Sequence, residues 1–190
     1  MKILFENVNL KFGRLELFKN LNVEITGGKV FGITGKNGAG KSTFLKLAGK
    51  IIKPDSGTVK IVDAETIAAV TPEMKIYDDL TALENLNFFA KLRNKKIDAE
   101  KIFNRVNLSI ENLNIRAGNF STGMKQRLKF AILLSVDADI WLLDEPTANL
   151  DSEGRNIFYN EILSATDKII LLATNDTKDL EVCNEILKLP

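Results

Sequence analysis

The chain has 190 residues, of which 45% are hydrophobic and 27% charged, an ordinary composition for a globular protein. Its formal net charge of +1 shows no basic excess, so we expect no nucleic-acid partner. The single cysteine, Cys183, excludes an internal disulfide framework and fits a reducing cytoplasm. No apolar run approaches the roughly 20 residues that span a bilayer, and Glu6 interrupts the opening apolar run, which argues against a signal peptide.

The first 70 residues predict mainly strands, with a turn at Gly13-Arg14 and one helix over 43–52. The predicted strands are 3–12, 17–25, 29–34, 57–63 and 66–70. Because apolar and polar residues mix in the first two strands, whereas 29–34 is nearly all apolar, we expect the third to be buried.

From Thr81 onward the spacing of apolar residues becomes helical. The predicted helices are 83–92, 98–108, 121–136, 152–163 and 177–183, and the strands among them are 138–145, 167–174 and 185–189. Asp98 is a predicted N-cap, and either Ser121 or Thr122 caps the helix that follows it. Since strands and helices alternate in the second half, the sequence predicts an α/β fold with a mostly parallel sheet.

We expect a single domain over residues 1–190. The block 81–118 is helical and lies between two parts that contain the strands, 1–80 and 119–190. It therefore has the pattern of a helical subdomain inserted into an α/β core.

Residues 35–42, GKNGAGKS, match the phosphate-loop pattern G-x-x-x-x-G-K-[ST] between a predicted strand and helix. The glycines allow backbone N–H groups to turn toward phosphate oxygens, and the following helix presents its positive end. Lys41 would reach the β- and γ-phosphates, and the Ser42 hydroxyl would ligate Mg²⁺. The predicted nucleotide-binding residues here are Gly35, Asn37, Gly38, Ala39, Gly40, Lys41, Ser42 and Thr43.

The segment IWLLDEP, residues 140–146, ends an apolar strand with two adjacent carboxylates. Asp144 suits the coordination shell of Mg²⁺, and Glu145 could polarise a water molecule for attack on the γ-phosphate. A strand that ends in two carboxylates is also common at an ordinary surface turn. The phosphate loop upstream favours the catalytic interpretation.

A third segment, FSTGMKQR at 120–127, opens a predicted helix, so its N–H groups and the Ser121 hydroxyl form a potential anion site. The alternative is a plain N-cap without a ligand. Since the chain already contains one phosphate loop, a second phosphate site needs another nucleotide to serve.

Together these motifs resemble the ATP-binding cassette (ABC) ATPases over nearly the whole chain. The matches to the family signature and its Gln-Arg pair are Ser121, Gly123, Gln126 and Arg127, while Phe120, Thr122 and Met124 depart in residue type. The resemblance implies a phosphate-loop NTPase core with an N-terminal antiparallel β subdomain and an inserted helical subdomain. It also implies ATP and Mg²⁺ as ligands, and a head-to-tail homo- or heterodimer. In that dimer the signature residues Ser121, Thr122, Gly123 and Met124 of one chain close on the ATP of the other.

The resemblance assigns three further positions. Phe12 stands where the family has an aromatic that stacks on adenine, although a core position is the alternative. Asp151, in the ANLD segment at 148–151, resembles the D-loop and could also cap the next helix. Glu73, or Pro72 if a one-residue gap is allowed, stands where the family has a glutamine that senses Mg²⁺ and the transmembrane partner.

Asn175 follows strand 167–174, where the family has its switch histidine, and this chain contains no histidine. An amide can donate a hydrogen bond to the γ-phosphate but cannot carry a proton near neutral pH. We therefore predict a catalytic contact with slow hydrolysis. The alternative is that Asn175 only caps helix 177–183.

We expect an ATP-hydrolysing subunit that acts at the cytoplasmic face of a membrane, where separate transmembrane permease subunits dock on the surface around residues 76–92. LTALENL at 80–86 favours export over import by resemblance. Two alternatives are a soluble, non-transport ABC ATPase and an ATP-binding module with little hydrolysis.

Overall fold

Two β-sheets form the frame of the computed structural model, which describes residues 1–13 and 15–190. Arg14, from the predicted first turn, lies outside the described residues. The smaller sheet is antiparallel with strand order β2-β1-β4, and the larger is parallel with order β5-β6-β7-β3-β8. The strands are β1 Lys2–Phe12, β2 Leu15–Thr26, β3 Lys29–Thr34, β4 Ser56–Val62, β5 Ile67–Val70, β6 Ile140–Asp144, β7 Ile169–Ala173 and β8 Glu185–Lys188.

The larger sheet is covered on both faces, which explains why β6 and β7 are apolar throughout. Successive residues point to opposite faces, so Trp141 and Leu143 join one hydrophobic cluster while Ile140 and Leu142 join another. The first cluster lies against the helices of the second half of the chain. The second lies between the two sheets and includes Phe44 from the first helix.

Six α-helices lie in the part of the chain that the structure describes: α1 Lys41–Ala48, α2 Ala82–Lys91, α3 Ala99–Arg105, α4 Thr122–Val136, α5 Ser152–Ser164 and α6 Thr177–Glu181. Asp98 caps α3 as predicted, and Ser121 rather than Thr122 caps α4, since its Oγ accepts a hydrogen bond from the Met124 backbone N–H. None of these helices is both long and apolar enough to cross a bilayer.

The predicted helix 43–52 is wrong at its end, because α1 ends at Ala48. Gly49 follows as the C-cap, and Lys50 adopts a left-handed backbone with φ of 54°, so the chain cannot continue the helix. The last predicted helix, 177–183, is also shorter and ends at Glu181.

The block 81–118 is helical, with α2, α3 and two short 3₁₀ segments at Ile110–Asn114 and Ala117–Asn119. Leu86 of α2 and Phe103 of α3 share the hydrophobic cluster of α4 and the large sheet. The helical segment therefore packs onto the core through apolar side chains. Its standing as a separate inserted subdomain remains a prediction.

Candidate functional site

Three neighbouring strands of the large sheet end at the same level. Ile33 of β3 and Asp144 of β6 both pair in register with Ala173 of β7, which lies between them. The residues that follow these strands therefore meet at one edge of the sheet. They include the glycine-rich loop 35–40, the adjacent Glu145, and Asn175.

The glycine-rich loop adopts backbone conformations that favour glycine. Gly38 has φ of 86° and Gly40 has φ of 100°, and α1 begins immediately after Gly40. The Lys41 side chain is only 8% exposed and donates a hydrogen bond from Nζ to the carbonyl oxygen of Gly35 at 2.9 Å. The loop thus curls around its own lysine at the positive end of a helix, which is the arrangement that binds phosphate.

A cleft of about 390 Å³ opens beside this loop. Its lining residues are Phe12, Leu15, Leu17, Asn37, Gly38, Gly40, Lys41, Ser42, Thr43, Pro72, Glu73, Asp144 and Glu145. Most of the residues predicted from separate motifs therefore come together. Phe12 is 56% exposed, so the interpretation of Phe12 as a core residue is wrong.

Leu15 and Leu17 also line the cleft and were missed from sequence. Leu15 is 59% exposed on the strand that returns from the hairpin, next to Phe12, with which it pairs in register. Leu17 lies over Gly40, where an added Cβ would come within 2.9 Å of the leucine side chain. Apolar residues beyond the hairpin turn were the available signal, because they pair with the strand that carries Phe12.

The two carboxylates differ in their surroundings. Asp144 is 6% exposed, and burial raises its pKa, with the Ser42 hydroxyl acting in the opposite direction and the charge of Glu73 adding to the rise. Burial also raises the pKa of Glu145, and the positive charge of Lys41 opposes that rise. Both carboxylates thus lie where a cation would offset the cost of burying their charge.

Asn175 lies beside the phosphate loop. Its Oδ1 is 3.3 Å from Thr34 Oγ1 and 3.4 Å from the Gly35 backbone N, and its Nδ2 is 3.3 Å from Asn37 Oδ1. The alternative that Asn175 caps the last helix is wrong, because Asp176 caps α6 by accepting a hydrogen bond from the Lys178 backbone N–H at 2.9 Å. Asn175 is therefore free of that structural duty.

Lys129 of α4 holds the backbone of the segment that contains Pro72 and Glu73. Its ammonium donates hydrogen bonds to the carbonyl oxygens of Thr71 at 3.1 Å and Pro72 at 3.3 Å. Burial lowers the pKa of Lys129, and the charge of Glu73 opposes that shift. Lys129 was missed from sequence, since nothing in the pattern of α4 distinguishes it from a solvated lysine.

The segment at the start of α4 lines a different cleft. Ser121, Gly123, Met124 and Asp151 share this cleft of about 340 Å³, which has no lining residue in common with the cleft at the phosphate loop. Thr122 instead borders a cleft that reaches toward Asp144. Within one chain the structure therefore does not bring the predicted signature residues to the phosphate loop.

Asp151 has a structural role of its own. It caps α5 by accepting a hydrogen bond from the Gly154 backbone N–H at 2.8 Å, as the sequence suggested. Arg127 of α4 donates to the same carboxylate at 2.7 Å, and Gln126 donates to the carbonyl oxygen of Pro146 at 2.6 Å. Helix α4 is thus hydrogen-bonded to the turn at Pro146, which follows β6, and to the N-cap of α5.

Comparison with known proteins decides the family. The model of the ABC transporter family matches residues 18–148 of this chain, which is more than half of its length. The chain belongs to the ABC transporter family. It is an ABC-type ATPase cassette, with the parallel sheet, antiparallel N-terminal sheet and helices that this fold combines.

Two bacterial relatives match this chain over most of their own length. The ABC transporter ATP-binding protein NatA of Bacillus subtilis is 31% identical over 188 residues, which cover 89% of this chain and 76% of NatA. The cytochrome c biogenesis ATP-binding export protein CcmA of Rhizobium etli is 32% identical over 203 residues, 98% of this chain and 94% of CcmA. The mouse organic anion transporter ABCA8B is 35% identical, but the chain spans only 12% of its length.

Solved structures agree with the family. MJ0796, a bacterial ABC transporter cassette with a dimeric structure, has a TM-score of 0.86 at 25% identity, covering 98% of this chain and 94% of that one. A second dimeric structure of MJ0796 is a post-hydrolysis state bound to ADP and Pi, with a TM-score of 0.85 at 25% identity.

The different roles of Asn175 and Asp176 lead to a test of stability. Asp176→Ala removes the α6 cap and the ion pair with Arg155, so we expect the free energy of unfolding to fall by about 1 kcal/mol. Asn175→Ala removes only long polar contacts and should change it by less than about 0.5 kcal/mol. Denaturant unfolding of both variants measures this, and a larger loss for Asn175→Ala would contradict the assignment of the cap.

Proposed function

We propose that this cassette binds ATP with Mg²⁺ in the cleft at the phosphate loop, hydrolyses it, and drives separate transmembrane subunits. The observation that carries the proposal is the meeting of three strand ends. The loop with Lys41 and the acidic pair Asp144–Glu145 line one cleft of suitable size for the phosphates of a nucleotide, and Asn175 lies beside that loop.

The binding roles follow from the contacts within the cleft. Lys41 would exchange its hydrogen bond with the Gly35 carbonyl for the β- and γ-phosphates, and the backbone N–H groups at the start of α1 would bind the same anion. Phe12, with the neighbouring Leu15, offers an exposed apolar surface at the other end of the cleft, where the adenine ring would stack.

The residues present also fit a magnesium ion. Ser42 offers a hydroxyl, and Asp144 and Glu73 offer carboxylates that lie close enough to influence one another. Mg²⁺ prefers such oxygen ligands and usually combines one or two carboxylates with substrate phosphates and water. When bound, the ion would neutralise charge on the phosphates. We assign Ser42 and Asp144 as its ligands, with Glu73 or the neighbouring Pro72 carbonyl reaching it through water.

Glu145 is proposed as the general base. It follows Asp144 directly, its side chain is only partly buried, and its carboxylate lines the cleft beside Lys41. In this position it would accept a proton from a water molecule that attacks the γ-phosphate. Asn175, across the loop, would donate its amide N–H to the γ-phosphate.

A dimer would complete the site. The signature residues Ser121, Thr122, Gly123 and Met124 lie at the start of α4, away from the phosphate loop of their own chain. The Ser121 hydroxyl accepts the capping bond through its oxygen, so its proton is still available to a phosphate. We propose that a second cassette, identical or different, presents these residues and Asp151 to the bound ATP.

The docking surface for the permease subunits is proposed at an exposed aromatic cluster around residues 76–92. Tyr77 and Phe88 are 48% and 39% exposed, with ring centroids 5.0 Å apart, and Phe89 packs against both. Exposed aromatic groups of this kind are typical of protein interfaces. Such docking would place the cassette at the cytoplasmic face of its membrane.

The direction of transport is proposed as export. Besides CcmA, the Nod factor export ATP-binding protein I of Burkholderia lata is 31% identical over 199 residues, whereas the sulfate/thiosulfate import protein CysA of Mesostigma viride is 27% identical over 206. A second candidate, an ATP-binding module with little hydrolysis, is favoured by the absence of histidine from the sequence.

Co-purification from membranes tests transport against a soluble role, since permease subunits should accompany the cassette.

Lys41→Ala tests nucleotide binding. Loss of the buried cation should weaken ATP binding by at least about tenfold and make turnover undetectable, because a charge-assisted hydrogen bond to phosphate is lost. Lys36→Ala is the matched control, since it removes an exposed lysine from the same loop. Titration calorimetry and phosphate release measure the two effects. Equal affinities for Lys41→Ala and the parent would contradict the assignment of the cleft.

Glu145→Gln tests hydrolysis and dimerisation together. Glutamine keeps the shape of the side chain but is no base at neutral pH, so turnover should fall at least about 100-fold while ATP still binds. The variant should then accumulate as a dimer with Mg-ATP on size-exclusion chromatography and be monomeric without nucleotide. A monomer that holds ATP would count against dimerisation of this chain with itself.

Asn175→His tests the amide as a substitute for histidine. We expect turnover to rise by about tenfold, equivalent to ~1.4 kcal/mol in the barrier, because an imidazole is longer and can carry charge at neutral pH. Asn175→Ala should lower turnover with little change in melting temperature. Identical rates for the three proteins would show that position 175 makes no contact with the reacting phosphate.

A further inference from the structure

Asp179 of α6 is a buried carboxylate that belongs to none of the sequence motifs. It is 0% exposed, and three hydroxyl groups donate hydrogen bonds to it: Thr147 Oγ1 at 2.9 Å, Thr174 Oγ1 at 2.9 Å and Tyr159 OH at 2.7 Å. Arg155 interacts electrostatically with Asp179, but its guanidinium forms an ion pair with Asp176. Burying a carboxyl group among hydroxyl groups is costly, which points to a role besides stability.

The three donors come from elements near the catalytic edge, the edge of the large sheet where β3, β6 and β7 end. Thr147 lies two residues after Glu145, in the turn that follows β6, and Thr174 follows the last residue of β7, immediately before Asn175. Tyr159 lies in the middle of α5, away from the edge. Asp179 therefore binds together the two strand ends that carry the acidic pair and Asn175, and it anchors them to a helix.

Thr174 is the link between Asp179 and the proposed base. Its Oγ1 accepts a hydrogen bond from the Asp176 backbone N–H at 3.0 Å, so its orientation is fixed. The same oxygen lies 2.9 Å from Asp179 Oδ2 and 3.3 Å from Glu145 Oε2. A hydroxyl has one proton for two carboxylates, so Thr174 donates a shared hydrogen bond whose shorter arm goes to Asp179 and whose longer arm goes to Glu145. The longer arm restrains Glu145 Oε2, and the remaining lone pairs of that carboxylate stay free to accept a proton from water.

We propose that Asp179 is a positioning residue for ATP hydrolysis, which acts through Thr174 to hold the Glu145 carboxylate in place. The inference rests on the proposed role of Glu145 as general base. Thr174 and Asp179 lie behind that carboxylate and do not line the cleft. Their loss should therefore lower kcat and leave ATP affinity unchanged, because small displacements of a catalytic group are costly in rate.

The test compares three conservative variants of the full chain. Thr174→Val keeps the shape but removes the hydroxyl, and we expect kcat to fall at least about tenfold with the Kd for ATP within about twofold of the parent. Thr174→Ser restores the hydroxyl and should restore kcat to within about threefold. Tyr159→Phe is the matched control, since it removes one hydroxyl donor to Asp179 that has no contact with Glu145; it should lower the melting temperature and leave kcat near the parent value.

Asp179→Asn is a fourth variant, in which an amide donor turns the Thr174 proton toward Glu145, so kcat should again fall at least about tenfold at unchanged ATP affinity. An unchanged kcat in Thr174→Val, an equal loss in Tyr159→Phe, or a parallel loss of ATP affinity would each overturn the proposal. Glu145→Gln, measured alongside, separates the two hypotheses. If it abolishes turnover while Thr174→Val has no effect, only the positioning role fails; if it turns over like the parent, the role of Glu145 itself fails.

Discussion

The register of three parallel strands sets the geometry of the entire site. Because β6, β7 and β3 are neighbours and are aligned at Asp144, Ala173 and Ile33, everything that follows them leaves the sheet at the same level. A parallel sheet places all its carboxyl ends at one edge, and ligands bind in the crevice there. The nearly all-apolar strands thus do more than fill the core. They bring the loop with Lys41, the pair Asp144–Glu145 and the amide of Asn175 to one edge of the sheet.

At that edge, burial and charge have to be balanced. Asp144 and Glu145 share a region where burial disfavours their ionised forms, and Lys41 offsets part of this cost for both, as Lys46 does for Asp144. Asp179, deeper still, is stabilised by hydroxyl groups. Such an edge is electrostatically incomplete by itself. In the proposed function, a nucleotide that arrived with a divalent cation would add positive charge beside the carboxylates and negative charge beside the loop, and so would reduce both costs.

Much of this was predictable from sequence because it is local. A phosphate loop and a strand that ends in two carboxylates are contiguous patterns, so their type and place could be predicted. Asn175 and Asp176 are both good caps in isolation, and only the backbone shows that Asp176 takes this role. Leu17 and Asp179 have roles that arise from residues distant in the chain, which no spacing rule reveals. The end of α1 was misplaced for a local reason, since the apolar residues beyond Gly49 continue a helical pattern, whereas the backbone ends the helix at Gly49 and Lys50.

The segment from Thr71 to Thr81 links the catalytic edge to the aromatic surface. Near its start, Lys129 holds the backbone of Thr71 and Pro72, so that Glu73 lines the cleft at the phosphate loop. At its other end, the buried Asn85 of α2 accepts a hydrogen bond from the Tyr77 backbone N–H at 2.9 Å and donates to the Tyr77 carbonyl at 3.0 Å. Both anchors are side chains of helices; between them Glu73 and Lys75 are exposed, while Met74 and Ile76 are partly buried against the core. A partner that moves α2 against α4 at the aromatic surface would therefore displace this segment, and with it Glu73, relative to Asp144. In the same way, a cation bound near Asp144 would resist that movement, so the fold offers a mechanical path in both directions between the proposed docking surface and the proposed metal site.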